Sequence, residues 1–309
     1  AVVIGPTVAI IGLSLAGNAV GDLTTAKTAS ANPYLCLLCG LVTLAVTMVC
    51  SVFGKKMLKM IPFIMGILAG YVLASLFTVI GWIADADALK IVNFSAFKAM
   101  QWVPDFTFVK AFKGFKDVTF SYVSTVIVAY APVAFVVFAE HIADHKNLSS
   151  IIETDLLEDP GLHRTLLGDG VGSIAGAFFG GCPNTTYGES VGCVAISGNA
   201  SVVTILATAI LAIIASFVAP FTTLLATIPN CVMGGVCMAL YGFIAVSGLK
   251  MIQKVDLEDN RNLFVVSVIL IAGIGGLVVT FGKVTITSIA CALILGILTN
   301  TLLSIKKKD

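Results

Sequence analysis

One polar stretch interrupts the apolar runs of this chain: residues 182–197 read CPNTTYGESVGCVAIS. It combines a proline, two glycines, several hydroxyl side chains, an amide and the carboxylate of Glu189, which is not the composition of a continuous membrane helix. In lipid, irregular backbone persists only where protein buries it or water reaches it, because each unpaired N–H or C=O group is costly. The stretch therefore predicts a broken helix at membrane depth, which is a typical site for a small ligand or ion.

The composition around this stretch is that of an integral membrane protein. Of the 309 residues, 58% are hydrophobic and 11% are charged, and the mean hydropathy is +1.03; a soluble domain has about 25% charged residues. The many long apolar runs predict several membrane-spanning helices. The net charge of +1 provides no electrostatic basis for binding nucleic acid. Cys36 and Cys39 have CxxC spacing inside an apolar run, and we interpret them as helix-packing residues.

The apolar runs predict ten membrane segments, most of which have roughly the 20 residues that a crossing helix needs. Two of them, 166–181 and 183–198, are shorter and rich in glycine, which allows close helix approach and backbone bending. An alternative is that these two form a single re-entrant hairpin. The ten segments are 2–20, 33–53, 61–83, 119–144, 166–181, 183–198, 200–219, 229–249, 262–281 and 284–305.

The distribution of basic residues predicts the orientation in the membrane. If the first segment runs from the cytoplasm outward, 11 of the 18 Lys and Arg residues lie in cytoplasmic connections, at positions 55, 56, 59, 146, 164, 250, 254, 261 and 306–308. Of the other seven, five lie in the long outer loop 84–118. We therefore predict a multi-pass protein of the cell membrane with a cytoplasmic C-terminus.

Two parts of the chain resemble each other. The triplet FGK occurs at 53–55 and at 281–283, and each copy is followed by an apolar run that contains Gly-Ile-Leu. On the predicted topology the two copies face opposite sides of the membrane, as in transporters with inverted repeats. The second repeat has seven segments over 119–305, whereas the first has only three over 2–83. We therefore expect four further segments upstream, with a second broken helix among them.

Three carboxylates near membrane depth are candidate site residues, since charged groups inside a bilayer are costly and usually functional. Glu140 and Asp144 share one face of a predicted helix. Glu189 follows Gly188 at the predicted start of a half-helix, where free N–H groups and the positive end of the helix dipole favour an anion or an acceptor atom. Alternatively, Glu140 and Asp144 cap the cytoplasmic end of their helix in water, and Glu189 caps its own helix.

Two histidines in the same region have a spacing that a metal site can use. His141 and His145 are four residues apart, but no HExxH order and no matching third ligand accompany them. We therefore predict no metal. The chain also lacks a recognisable set of nucleophile and base, so we predict that it is not an enzyme.

Five motifs, in order along nearly the whole chain, resemble those of the nucleobase/ascorbate transporter family and, within it, the bacterial uracil permeases. Their combination is more specific than any one of them. The motifs are Ile11-Gly-Leu-Ser-Leu15, Ala139-Glu-His-Ile-Ala-Asp144, Asp159-Pro-Gly-Leu-His-Arg164, Pro183-Asn-Thr-Thr-Tyr-Gly-Glu189 and Val232-Met-Gly-Gly235.

This resemblance implies an all-α polytopic fold of two inverted seven-helix repeats, each divided between a core and a gate domain. Residues 1–84 would contain gate helices of the first repeat, and 85–118 the outer loop. Residues 119–219 would contain the core helices of the second repeat, with the broken strand–half-helix segment and the substrate site. Residues 220–309 would contain its gate helices and the cytoplasmic tail. About ten segments would be present, and helices one to four would be missing.

The resemblance also implies roles for individual residues. Glu140 and Glu189 match the family's two substrate-binding carboxylates, and Gly188 matches a position whose backbone N–H faces the base. Uracil permeases have a histidine at the position of Asp144, and this departure blurs the choice between pyrimidine and purine. The predicted substrate-binding residues are Glu140, Tyr187, Gly188 and Glu189, and the candidates for proton coupling are Glu140, Asp144 and His145.

These features together predict a proton-coupled importer of a nucleobase, uracil first, that works by an elevator-like movement of core against gate. The proton is the coupling ion and no other cofactor is predicted. The predicted partners are the nucleobase, the lipid bilayer and a second copy bound through gate helices. Alternatives are a transporter of xanthine, another purine or another small anion on the same fold and, more remotely, a channel-like or scaffolding membrane protein.

Overall fold

The computed structural model describes residues 2–103, 108–114, 118–182, 184–281 and 284–304, and most of them are helical. Within them the α-helices are α1 (Ile4–Ser14), α2 (Ala16–Asp22), α3 (Pro33–Phe53), α4 (Met57–Met60), α5 (Pro62–Ile83), α6 (Phe108–Gly114), α7 (Phe120–Ile152), α8 (Leu162–Phe178), α9 (Gly188–Ser197), α10 (Val202–Ser216), α11 (Ala219–Thr227), α12 (Asn230–Ile252), α13 (Asn260–Ile274) and α14 (Ser288–Ser304).

Five helical stretches of the described residues are long and apolar enough to cross a membrane: α1 with α2, α3, α5, α7 and α12. A sixth candidate is the pair α10 and α11, which is bent by 85°. The helices α13 and α14 are apolar but shorter. The expectation of a helical, multi-pass membrane protein is confirmed. The predicted segments 33–53 and 61–83 agree with α3 and α5 to within one residue, whereas α7 continues well beyond the predicted 119–144.

The all-α expectation was incomplete, because a short antiparallel ribbon lies where two helices were predicted to adjoin. Strand β1 (Val279–Phe281) pairs with strand β2 (Val284–Ile286). Before the ribbon, Gly276 has a φ of +70°, a conformation at which glycine ends a helix at little cost. The alternating Val and Thr that follow favour extended backbone. The predicted segments 262–281 and 284–305 are therefore shorter helices that flank a ribbon.

The chain divides into two compact units. The first unit comprises Ala1–Ser14, Phe106–Val191 and Phe243–Asp309, and it contains α7, α8 and the beginning of α9. The second unit comprises Leu15–Asp105 and Gly192–Gly242, and it contains α3 and α5. The polar residues predicted for the site all fall in the first unit.

Small residues bring α3 and α5 of the second unit into close contact. Gly66, Gly70 and Ala74 recur every four residues along α5, and all three are buried. Gly66 lies against Thr47 and Gly70 against Thr43. The two threonine hydroxyls donate to carbonyls one turn earlier in α3, at 2.8 and 2.9 Å. The helices can therefore approach closely without leaving a hydroxyl donor unpaired.

Thr78 anchors the loop that follows α5. Its Oγ1 donates to the carbonyl of Ala74 at 2.8 Å and accepts the backbone N–H groups of Ile91 and Val92 at 3.1 and 3.0 Å. Ile91 and Val92 are buried in the core of the second unit. This hydroxyl therefore satisfies two buried donors and holds the first part of the loop that follows α5 on the helices.

The first unit has its own apolar core. Ile10 of α1, Val265 and Ile269 of α13, and Ala292 of α14 are buried together there. Gly273 of α13 lies directly against Ile10, so the two helices pack at short range. This core lies on the helices that accompany α7 and α8 in the same unit.

We predict that Gly70→Ala destabilises the protein by about 1–3 kcal/mol, the usual cost of overpacking a tight contact. The added methyl group would overlap Oγ1 of Thr43. The matched control is Gly242→Ala in α12, where a Cβ would meet open space. That change should be neutral or stabilise the helix by up to about 1 kcal/mol. Thermal unfolding in detergent compares the two variants, and equal melting temperatures would contradict the packing described for α3 and α5.

Candidate functional site

The polar stretch folds as irregular backbone followed by a short helix. After α8 ends at Phe178, the described residues up to Tyr187 have no regular secondary structure, and α9 begins at Gly188. Helix α9 has ten residues, too few to cross a bilayer. The predicted half-helix is confirmed, and its first turn lies at the junction with the irregular segment, where the N–H of Ser190 donates to the carbonyl of Tyr187 at 3.1 Å.

Asp144 of α7 lies at this junction. The hydroxyl of Thr186 donates to its Oδ2 at 2.7 Å. On the other side of the carboxylate, a Cβ built at Gly188 would lie 3.2 Å from Oδ1, so a glycine there leaves room for Asp144. The positive end of the α9 dipole stabilises a negative charge at this place. The contact therefore joins α7 to the first turn of α9 through a carboxylate.

The irregular segment is also attached to α8. The hydroxyl of Ser173 lies 2.7 Å from the backbone oxygen and 2.8 Å from the side-chain Oδ1 of Asn184, so it can donate to either. Gly172 and Gly176 lie beside the same asparagine. A Cβ built at Gly172 would lie 3.8 Å from the side chain of Asn184, and one built at Gly176 would lie 4.0 Å from it. Asn184 therefore packs against a glycine-lined face of α8, and Ser173 of that helix can donate to its exposed backbone carbonyl.

A buried histidine connects α7 and α8. His141 is 1% exposed. Its Nδ1 lies 3.2 Å from Oδ2 of Asp169, and its Nε2 lies 3.0 Å from Oγ1 of Thr165. The ring of His145 stacks on it at a centroid distance of 4.0 Å. Both nitrogens of the buried ring therefore have polar partners, as a buried imidazole requires.

The residues predicted for the site have different positions in the structure. Asp144 and Gly188 are adjacent, as described above. Glu140 is half-buried on α7, one turn before Asp144. Nδ1 of His145 donates to the carbonyl of His141 at 2.9 Å, and the side chain of Tyr187 is 68% exposed. Glu189 belongs to the first turn of α9, but its side chain, like all of Pro183, lies outside the described residues.

Three polar residues of α8 contact the candidate site but were not among the residues predicted for it. Thr165, Asp169 and Ser173 recur every four residues in a helix whose other residues after Arg164 are apolar or glycine, and that polar stripe was a usable signal. Their partners could not be identified from it, because His141 precedes Asp169 by 28 residues. Such a pairing depends on how two helices meet.

The arrangement offers a small ligand both kinds of hydrogen-bonding group. Carboxylates of α7 can accept N–H bonds, and the first N–H groups of α9 can donate to an acceptor atom. The irregular segment is polar and is held on both sides by side chains. These are the features of a binding site for a small polar molecule; the described residues contain no group of three or more His, Cys, Asp or Glu placed to hold a metal.

Comparisons with known proteins agree on one family. The model of the Permease family matches residues 1–282. The chain is 39% identical to the uracil permease of Bacillus caldolyticus, over 98% of this chain and 67% of that protein. It is 37% identical to the uracil permease of Bacillus subtilis, over 100% of this chain and 69% of that protein. It is 36% identical to the uracil permease of Escherichia coli K12, over 95% of this chain and 64% of that protein. All three are named as permeases, which agrees with the expectation of a transporter and not an enzyme.

We predict that Thr186→Val destabilises the protein by about 1–3 kcal/mol, because it removes a hydrogen bond to a charged group. The neighbouring Thr185 is the matched control: its Oγ1 is buried and has no hydrogen-bond partner among the described residues. Replacing that hydroxyl with a methyl group in Thr185→Val should be neutral or stabilising. Thermal unfolding in detergent measures both. A Thr185→Val variant that loses as much stability as Thr186→Val would show that the Asp144 bond is not responsible.

Proposed function

The chain belongs to the nucleobase/ascorbate transporter family of permeases, and we propose that it serves in a secondary active transporter that imports a nucleobase, uracil first, by proton symport. The names of its relatives support this substrate class. The contact of Asp144 with Thr186 and Gly188 carries the proposal at the level of the site. It joins the helix that bears Glu140 to the half-helix that bears Glu189.

In this proposal the base binds between α7 and α9. Glu140 and Glu189 accept the ring N–H groups of the base, because ionised carboxylates are strong acceptors. The backbone N–H of Gly188 donates to an oxygen of the base, and Tyr187 lies at the edge of the site. A flat base with alternating donors and acceptors suits such a set, and apolar walls can cover its faces.

Asp144 is the proposed centre of proton coupling, with Glu140 and His145 as the other candidates. When ionised, its carboxylate accepts the bond from Thr186 and interacts favourably with the start of α9. Protonation removes the charge and weakens both interactions. The position of the broken segment would therefore depend on whether a proton is bound, which is the thermodynamic requirement for coupling.

We further propose the domain arrangement of the family for this chain. Residues 1–84 and 220–309 contribute gate helices, 85–118 the outer loop, and 119–219 the core that carries the site. The core moves against the gate in an elevator-like manner, within two inverted seven-helix repeats. The excess of Lys and Arg in the predicted cytoplasmic connections supports a cytoplasmic C-terminus in the cell membrane. A homodimer would form through the gate helices.

A second candidate is a transporter of xanthine, another purine or a small anion on the same fold. Asp144 favours this candidate, because uracil permeases have a histidine at the position of this acidic residue. A channel-like protein is the more remote candidate. It would pass the same solute without saturation and without dependence on a proton gradient, so a concentration series of uptake separates the two mechanisms.

We predict that Glu140→Gln and Glu189→Gln each reduce uracil uptake and binding about 10- to 100-fold, the loss expected for one charge-assisted hydrogen bond. Uptake of labelled uracil by cells that express the protein, together with binding by calorimetry, measures the effect. Glu158→Gln, at an exposed carboxylate before α8, is the matched control and should transport normally. Unchanged uptake and binding in both site variants would exclude the proposed site. If unlabelled xanthine binds in calorimetry and uracil does not, the second candidate function is the correct one.

We predict that Asp144→Asn abolishes accumulation of uracil driven by a pH gradient while it preserves exchange of uracil across the membrane. The amide cannot take up or release the proton that couples transport to the gradient, but it can still accept the bond from Thr186. Proteoliposomes measure both activities. Asp155→Asn, at an exposed carboxylate outside the site, should keep gradient-driven accumulation. Full accumulation by Asp144→Asn would remove Asp144 from the coupling mechanism.

A further inference from the structure

One face of α8 contacts two other parts of the site. Thr165, Asp169 and Ser173 recur every four residues and therefore lie on that face. Toward its beginning, Thr165 and Asp169 contact the two ring nitrogens of His141 on α7. Toward its end, Ser173 contacts Asn184 of the irregular segment. Helix α8 thus holds both the helix and the segment between which the site lies.

The bond from Thr186 to Asp144 completes a closed circuit of contacts. The circuit runs along α7, across to α8, from α8 to the segment 184–187, and back to α7 through the 2.7 Å bond at Asp144. Each connection is made by side-chain hydrogen bonds. Because packed helices behave as rigid elements, we expect a change at one connection to alter the spacing at the next.

The partners of His141 specify which of its nitrogens carries the hydrogen. An ionised carboxylate only accepts hydrogen bonds, so Nδ1 beside Asp169 must be the protonated nitrogen. In the neutral ring, Nε2 is then an acceptor and takes the hydrogen of the Thr165 hydroxyl, whose other acceptor within reach is the carbonyl of Leu162 at 3.1 Å. Asp169 therefore determines the tautomer, as the partner of one ring nitrogen does generally.

We propose that His141 and Asp169 are positioning residues of the transport site. Asp169 holds His141 in the Nδ1-protonated form, and the pair sets the distance from Asp144 to the segment 184–187. Neither residue needs to touch the substrate. The role in transport rests on the proposed function, whereas the tautomer and its dependence on Asp169 do not. Among the described residues, Asp144 and His145 of α7 also interact electrostatically with this ring.

The first experiment reads the tautomer directly. The chain has three histidines, so 15N-histidine labelling in detergent gives a small set of imidazole signals, and those absent from His141→Asn belong to His141. We expect a protonated Nδ1 and an unprotonated Nε2, and a shift toward the other tautomer in Asp169→Asn, whose amide can donate to Nδ1. Asp85→Asn, at an exposed carboxylate in the outer loop, is the control. A protonated Nε2 beside an unprotonated Nδ1, or signals that Asp169→Asn leaves in place, would overturn the proposal.

The second experiment separates positioning from simple filling of space. The amide nitrogen of asparagine is as many bonds from Cα as Nδ1 of histidine, and that of glutamine as many as Nε2. His141→Asn can therefore keep the donor to Asp169, although it fills less volume than His141→Gln. We expect His141→Asn to keep the KM for uracil within about threefold and His141→Gln to raise it about tenfold or more, the loss expected for one buried hydrogen bond.

Uptake must be compared with the amount of folded protein and with its melting temperature. Equal KM values for the two variants, or losses that follow only the amount of folded protein, would reduce His141 to a packing residue. If the unmodified protein transports no uracil, the proposed function fails. The nitrogen signals still decide whether Asp169 controls His141, so the two failures are distinguishable.

Discussion

The backbone of a membrane protein must find hydrogen-bond partners wherever it leaves the helix, and the structure of the described residues between α8 and α9 depends on this requirement. The N–H groups of Gly180 and Gly181 bond carbonyls in the last turn of α8, and the hydroxyl of Ser173 donates to the backbone carbonyl of Asn184. A side-chain bond from Thr186 to Asp144 then fixes the end of the segment on α7. The break in the helix is therefore tied to α8 on one side and to α7 on the other. The side chains that hold the break are polar and lie next to the start of α9, so the anchoring of the segment and the proposed binding chemistry involve the same groups.

Small residues allow the close helix contacts in both units. Gly66 and Gly70 let α5 approach α3, Gly273 lets α13 approach α1, and Gly188 leaves room for the carboxylate of Asp144. In lipid there is little hydrophobic gain when helices associate, so close packing of this kind supplies much of the attraction. Hydroxyls that bond within their own helix, as at Thr43, add polarity without an unpaired donor.

Family membership and local geometry provide different parts of the functional interpretation. The relatives establish that the chain is a permease, and their printed names supply the class of solute that we propose. The geometry supplies the connections: the carboxylate of Asp144 lies at the start of α9, and α8 holds both neighbours of the site. These connections explain how the charge on one residue of α7 can affect a segment more than 40 positions along the chain.

The sequence by itself determined the membrane class, the positions of α3 and α5 and the break before α9, because apolar runs, prolines and glycines act locally. Asp144 and Gly188 are two of the six residues that it predicted for the site, and the structure places these two next to each other. It did not predict the ribbon between α13 and α14, where two glycines and β-branched residues outweigh overall hydropathy. Nor did it pair His141 with Asp169 or Asp144 with Thr186. Those pairs are 28 and 42 residues apart, and only the packing of α7, α8 and the irregular segment brings them within hydrogen-bonding distance, since side-chain hydrogen bonds form at about 3 Å and carry no trace in sequence spacing.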